Sequence, residues 1–366
     1  MRIGLICPYS LTVPGGVQTQ VLGLARALRR KGHACRVLAP CDGPPPDAGV
    51  TPLGLSLPTA ANGSVAPVAP DPSAQLRTIR AMRDEAFDVV HLHEPLAPGP
   101  TTTALLTKPA PLLGTFHMAG RSLSYELMPN VVRYLAGRLD DRVAVSEDAR
   151  RMARDSLGGQ YDLTFNAVEL LRYDESPALA TESPTILFVG RHEERKGLRV
   201  LLEAVALLPS DVRIWIAGEG PETDMLNAAY AGDPRLEWLG AISESEKIAR
   251  LKGADVFCAP SLHGESFGVV LLEGMAAGTP VVASDIPGYA NAARHGSDAL
   301  LFTPGDSRAL AQALRDIFRD EPKRAALVAS GRERAEEFSM ATLADFYLGR
   351  YEHMLDQSWQ RRRTRR

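Results

Sequence analysis

Gly264-Glu-Ser-Phe-Gly-Val-Val-Leu-Leu-Glu-Gly-Met-Ala-Ala-Gly278 carries two carboxylates, Glu265 and Glu273, with seven mostly apolar residues between them. Val256-Phe-Cys-Ala-Pro260 before it and Pro280-Val-Val-Ala283 after it read as strands, so the segment is predicted as a buried helix between two strands. Acids in such surroundings need partners. Glu265 is expected in the loop before the helix and Glu273 about two turns into it, which lets both face one pocket at the carboxyl edge of a sheet. Paired acids there suit the hydroxyls of a sugar.

The same strand and helix rhythm runs through the whole chain. In the first half, β-branched runs at Arg2 to Cys7, Cys35 to Ala39, Val89 to His93, Leu112 to Phe116 and Arg142 to Val145 alternate with helical patterns such as Val17 to Arg30. That alternation means parallel strands with crossover helices. A polar, proline-bounded stretch, 172–184, reads as a linker. The rhythm then restarts with strands at Ile186 to Val189, Arg213 to Ala217, Leu236 to Leu239, Val256 to Ala259, Pro280 to Ala283 and Leu300 to Phe302. Ser243-Glu-Ser-Glu246 reads as a capping box for a helix running to Leu251. The expected fold class is α/β, with two Rossmann-like domains, 1–171 and 185–339, whose parallel sheets face across a cleft. A last helix, 340–357, is expected to pack back across the domains, and 358–366 to form a basic tail.

Composition narrows the function. The 366 residues carry a formal net charge of -3, are 45% hydrophobic and 23% charged, and have the length of roughly two domains. Nothing in that balance argues for nucleic acid as a partner. The four cysteines, Cys7, Cys35, Cys41 and Cys258, have no metal-ligand or redox spacing and read as buried free thiols. No apolar run reaches the length of a signal peptide or a membrane span, so a cytoplasmic location is expected.

Several residues point to chemistry. Arg191 follows the strand Ile186 to Val189, and Lys196-Gly197 opens the next helix, which puts a guanidinium and an ammonium within reach of a diphosphate. Pro14-Gly15-Gly16-Val17 removes side chains where a ligand could meet backbone amides, although an ordinary tight turn reads the same way. A dinucleotide fingerprint is absent, which disfavours nicotinamide chemistry. His91 and His93 share one strand face while Glu94 is expected to point away, and neither they nor His117 show metal-ligand spacing, so no metal is expected. His117, at the end of Leu112 to Phe116, reads as a residue contacting substrate. Leu76, Ile79 and Met82 form an apolar stripe bordered by Arg77, Arg80 and Arg83, which suits weak contact with an anionic membrane surface. The competing reading is a crossover helix with one solvated face.

Pro14-Gly-Gly-Val17, His91-Leu-His-Glu-Pro95, Gly114-Thr-Phe-His117, Val143-Ala-Val-Ser146, Gly190-Arg191 to Lys196-Gly197 and the Glu265 to Glu273 segment together resemble family 4 retaining glycosyltransferases of the GT-B fold, over almost the whole chain. Within that family, Cys7-Pro-Tyr-Ser10, Val13 to Gln18, Asn62 to Ala66 and Gly264 to Gly268 are similar to members that transfer mannose from GDP-mannose to a phosphatidylinositol-type lipid at the cytoplasmic membrane face. The resemblance implies that Arg191 and Lys196 hold the donor diphosphate, Glu273 the ribose and Glu265 the sugar hydroxyls, with Ser266, Phe267 and Gly268 beside them. It implies that Ile242, Glu244 and Lys247 surround the base, that Gly16 and His117 line the donor sugar, and that Tyr9, Gln18, Asn62 and Ser64 meet the acceptor. The implied catalytic set is His117, Arg191, Lys196 and Glu265, with no cofactor beyond the donor. Where the family has Asn-Gly-Val-Asp, this chain reads Asn166-Ala-Val-Glu169, and Ala61 stands where an aromatic residue is expected. Two other readings fit the same residues: a family member using a UDP-sugar or a soluble acceptor, and a non-catalytic nucleotide-sugar binding module.

Overall fold

The computed structural model describes residues 1–61, 64–118, 125 and 127–363. The chain divides into two compact units, Met1–Asn166 together with Met340–Arg366, and Ala167–Ser339.

In the first unit the strands are β1 (Arg2–Ile6), β2 (Ala34–Ala39), β3 (Val50–Pro52), β4 (Leu57–Ala61), β5 (Ser64–Val68), β6 (Val89–His93), β7 (Leu112–Phe116), β8 (Asp141–Ala144) and β9 (Asp162–Leu163). They build a parallel sheet in the order β3-β2-β1-β6-β7-β8-β9, with β4 and β5 as a separate antiparallel ribbon. Its central strands β6 and β7 are buried along their whole length, as a sheet covered on both faces requires. Helix Gly16–Arg30 covers one face through Val21, Leu24, Ala25 and Leu28, spaced as one stripe of a helix. Helix Glu147–Leu157 starts where the Ser146 hydroxyl accepts from Ala149 N–H at 3.2 Å, and it buries Ala149, Ala153 and Leu157. The chain returns to this unit with one continuous helix, Met340–Arg363, which runs six residues beyond the expected end of the last helix.

The second unit has β10 (Thr185–Val189), β11 (Arg213–Ala217), β12 (Leu236–Gly240), β13 (Val256–Ala259), β14 (Val281–Ser284) and β15 (Ala299–Phe302), all parallel, in the order β12-β11-β10-β13-β14-β15. The strand order reverses between β10 and β13, so the loops leaving those two strands open a crevice at the carboxyl edge. Segment 172–184 is not a free tether. It begins inside helix Leu170–Glu175, and the Lys252 ammonium holds it by donating to the Tyr173 carbonyl at 2.7 Å and the Ser176 carbonyl at 2.5 Å. The expected capping box is half formed: the Ser243 hydroxyl accepts from Glu246 N–H, while the Glu246 carboxylate turns to Arg250 at 3.0 Å. All four cysteines are buried and free. Among the described residues, no helix is long and apolar enough to cross a membrane.

Candidate active site

The loops after β10 and β13 assemble the first group of side chains. Arg191 follows β10 directly, with its side chain 62% exposed and its nearest carboxylate, Glu193, at 3.9 Å. Lys196 closes a short 3-10 turn, Glu194–Lys196, and the carbon stem of the lysine lies against Gly190. Gly197 then takes φ +67, and a Cβ there would lie 2.0 Å from the Pro260 carbonyl oxygen, so only glycine lets the two loops come this close. That approach delivers Lys196 Nζ to Glu265 Oε1 at 2.6 Å. The same carboxylate oxygen accepts from the Ser261 hydroxyl at 3.0 Å, and Ser261 is hydrogen-bonded in turn to the buried Tyr289 hydroxyl at 2.8 Å. Glu265 is thus an aimed carboxylate, held from β13 and from the Tyr289 turn.

Glu273 is the fifth residue of helix Val269–Ala277, in its second turn, and answers to a different cation. Its Oε1 accepts from Lys247 Nζ at 2.8 Å, and Glu244 takes the same ammonium at 2.9 Å. Burial disfavours the Lys247 charge, but the two carboxylates outweigh it and hold the pKa above the usual lysine value. Lys247 therefore orients Glu273, and its donors are occupied by acids, not left open toward a base. Replacing Lys247 with methionine leaves two carboxylates without their cation and is expected to lower stability by ~3 kcal/mol in urea unfolding. Adding Glu273→Gln to that variant should recover part of the loss. Phe267 is buried and packs edge-on against Phe338 at 5.5 Å, so a ligand at this loop could meet only its backbone. Ile242 is half-buried, Glu244 is exposed, and Gly268 with φ +88 begins the helix.

In the first unit, β6 and β7 end in a cluster of rings. His91 and His93 stack at 4.3 Å, as two residues apart on one strand face must. His93 Nδ1 meets His117 Nε2 at 3.0 Å. Glu94 does not point away. It takes φ +48, leaves the strand, and swings its carboxylate back to accept from the His117 and Met118 backbone N–H groups, both at 2.6 Å. Burial pushes the Glu94 carboxyl up to about 7 despite those two donors. Burial also holds His117 down to about 4, against the neighbouring Asn166 side chain, and holds His91 and His93 well below the usual histidine range.

These shifts oppose one another. A depressed histidine stabilises the fold above its unfolded pKa near 6.5 and loses that contribution as pH falls through its folded value. Glu94 does the reverse: its contribution is full below 4.5 and is lost as pH rises through about 7. Glu94→Gln keeps an acceptor for both N–H groups without a buried charge. Stability measured by urea unfolding should then rise more steeply with pH for the variant, with a gain above pH 7 on the order of 3 kcal/mol relative to its value at acid pH.

The remaining expected residues have varied surroundings. A Cβ at Gly16 would meet nothing within 4 Å, so neither packing nor backbone strain demands glycine there. Gln18 is buried, and its amide donates to the Val13 carbonyl at 3.2 Å and the Ser10 carbonyl at 3.4 Å, so it ties the glycine loop together. Tyr9 is half-buried, with its hydroxyl raised in pKa by burial and by the nearby Glu94 charge. Asn62 lies outside the described residues, as does the side chain of Ser64. The arginine trio separates: Arg77 donates to the Leu53 carbonyl at 2.6 Å and to the Ser73 hydroxyl, whereas Arg80 and Arg83 are exposed and share Asp84 at 3.4 Å. The apolar stripe separates too, with Met82 in the core while Leu76 is 68% and Ile79 41% exposed. Sequence reading missed Ser261 and Tyr289 behind Glu265, and it missed Tyr125, a buried ring whose hydroxyl feels the charge of Glu94.

Residues 14–169 match the model described as Glycosyltransferase Family 4, and residues 172–334 match the model described as Glycosyl transferases group 1. Two solved structures share the architecture. Sucrose-phosphate synthase from Thermosynechococcus elongatus superposes with a TM-score of 0.75 at 21% identity, covering 98% of this chain and 99% of that one. Anabaena HepE in complex with UDP and glucose gives 0.70 at 17% identity, covering 96% and 99%. The fold is GT-B, the two-domain architecture of glycosyltransferases. Phosphatidyl-myo-inositol mannosyltransferase from Mycobacterium leprae is 39% identical over 364 residues, with 96% of each chain covered. The chain belongs to glycosyltransferase family 4.

Proposed function

We propose that this glycosyltransferase is a retaining mannosyltransferase that takes the mannosyl group of GDP-mannose and attaches it to a phosphatidylinositol-type lipid. The observation that carries the reading is the cation pair after β10: an exposed Arg191 with only a 3.9 Å contact to Glu193, beside a Lys196 already set against an aimed Glu265. The 39% identity to a phosphatidyl-myo-inositol mannosyltransferase supports the choice of donor and acceptor.

In this reading Arg191 and Lys196 take the donor diphosphate. Its charge draws Lys196 away from Glu265, and the freed carboxylate accepts the mannosyl hydroxyls. Glu273 takes the ribose, while Ile242, Glu244 and the backbone of Ser266 to Gly268 border the nucleoside. Gly16 and His117 are assigned to the transferred sugar, and Tyr9, Asn62 and Ser64 to the acceptor. The acceptor hydroxyl oxygen forms a bond to the anomeric carbon on the face from which the diphosphate leaves. The bond from that carbon to the phosphate oxygen breaks with its electron pair going to the diphosphate, which also accepts the hydroxyl proton. Arg191 and Lys196 neutralise the charge that develops on the leaving group.

A donor and acceptor matrix with product masses tests the assignment. GDP-mannose with a phosphatidylinositol lipid should give a lipid heavier by one hexosyl unit, and GDP should raise the melting temperature more than UDP. Transfer from a UDP-sugar alone, or transfer only to free inositol, would sink it. We also assign Arg80 and Arg83, with exposed Leu76 and Ile79, to contact with an anionic membrane surface. Two arginines near such a surface contribute about 1 kcal/mol each, so Arg80→Gln with Arg83→Gln should weaken sedimentation with anionic vesicles roughly 30-fold.

A further inference from the structure

His93 has no role in the reading above, yet its ring meets that of His117 directly, Nδ1 to Nε2 at 3.0 Å. Two neutral imidazoles joined nitrogen to nitrogen hold one N–H between them, and the other nitrogens decide which ring supplies it. If His117 donated, His93 would carry its own proton on Nε2, which is buried and has no acceptor among the described residues. The opposite arrangement leaves only a bare nitrogen at that place, and a buried N–H without an acceptor is the rarer defect in folded chains. His93 Nδ1–H therefore donates to His117 Nε2, and neutral His117 keeps its proton on Nδ1. With Nε2 taken, Nδ1 carries the one N–H that His117 can offer, beside the neighbouring Asn166 side chain.

We propose that His93 is a positioning residue that locks His117 in its Nδ1-protonated form and fixes its ring plane, so that Nδ1 rather than Nε2 presents the N–H to the sugar. This rests on the reading that His117 meets the transferred sugar. His93 is itself held in place, with His91 stacked on it at 4.3 Å and 26° and His117 at 5.2 Å and 24°. His91 is pinned at both nitrogens, by the Tyr351 hydroxyl at 2.7 Å and the Thr115 hydroxyl at 2.7 Å, and Thr115 is hydrogen-bonded to the Tyr347 hydroxyl at 2.9 Å. Glu94 fixes the backbone of His117 from below. The file of three rings thus runs from the last helix to His117, and each ring limits the rotation of the next.

The test uses the full chain labelled with 15N-histidine, near neutral pH, where His117 is neutral. Long-range proton–nitrogen spectra, with the His117 signals assigned through His117→Gln, should show the proton of His117 on Nδ1. His93→Phe should move it to Nε2, the form that imidazole side chains favour in water. The same variant should lower kcat about 10-fold to 100-fold with little change in KM for the donor, as loss of an orienting partner does. His93→Asn places an amide N–H near the former Nδ1 position and should restore both the tautomer and most of the turnover. A wild-type His117 protonated on Nε2, or one unchanged by His93→Phe, overturns the proposal. If His93→Phe fails to fold, the wild-type spectrum alone decides. Normal turnover of His117→Gln would remove the sugar role of His117, and the tautomer result would still judge the lock.

Discussion

Arg191→Ala is expected to lower turnover about 100-fold to 1000-fold, the loss that follows removal of one preorganised donor at a site of developing charge. The structure separates this effect from folding. The Arg191 side chain is largely exposed and its contact with Glu193 is long, so urea unfolding should change by no more than about 0.5 kcal/mol. Arg191→Lys should recover only part of the activity, because a point charge cannot grip two phosphate oxygens as a planar fork does. Turnover of Arg191→Ala within a few fold of the parent would remove Arg191 from the leaving-group site.

Glu265→Ala carries the second large expectation: turnover lower by about 100-fold, with affinity for GDP not weakened. Charged hydrogen bonds to sugar hydroxyls are worth about 1.5 to 3 kcal/mol each, enough for that loss if one or two are made in the transition state. GDP lacks the sugar, and Lys196 without Glu265 is freer to meet its diphosphate. The fold should lose stability as well, since Lys196 and Ser261 both lose their acceptor. Glu265→Gln separates the two effects by keeping an oxygen for both donors without the charge. Weaker GDP binding in isothermal titration of Glu265→Gln would contradict the role given to this carboxylate.

Strands β10, β11 and β13 were readable within a residue because each is a short, nearly continuous apolar run between helices, which is what burial on both sheet faces demands. The ribbon of β4 and β5 was not, because Pro58 and Pro67 sit within it and proline argues against a central strand. They face one another across an isolated two-stranded ribbon, where a missing N–H is tolerated. The role of Glu94 was misread for a related reason: alternation holds only while the backbone stays extended, and its positive φ turns the chain just past the strand end at His93. Arg191, Lys196, Glu265 and Glu273 were legible as charged residues at strand ends and in an apolar segment. Their pairing was not, since which lysine meets which glutamate depends on segments 69 and 26 residues apart in the chain. Tyr347 and Tyr351 look like ordinary core residues of a helix, and only the folded chain brings Tyr351 to a histidine 260 residues away and Tyr347 against the same ring.

That last distance bears on how the protein is made. During synthesis the strands of the first unit emerge early, yet the helix that caps His91 follows the whole middle unit. The middle unit has all of its residues available before then and can fold as one continuous stretch. A nascent chain is thus expected to carry an unfinished first unit, with the histidine file lacking its tyrosines, until residues 340–363 have been made. A ribosome stalled before residue 340 would release a product whose middle unit is complete and whose other unit lacks helix Met340–Arg363, so a cut at that point removes part of the first-made unit.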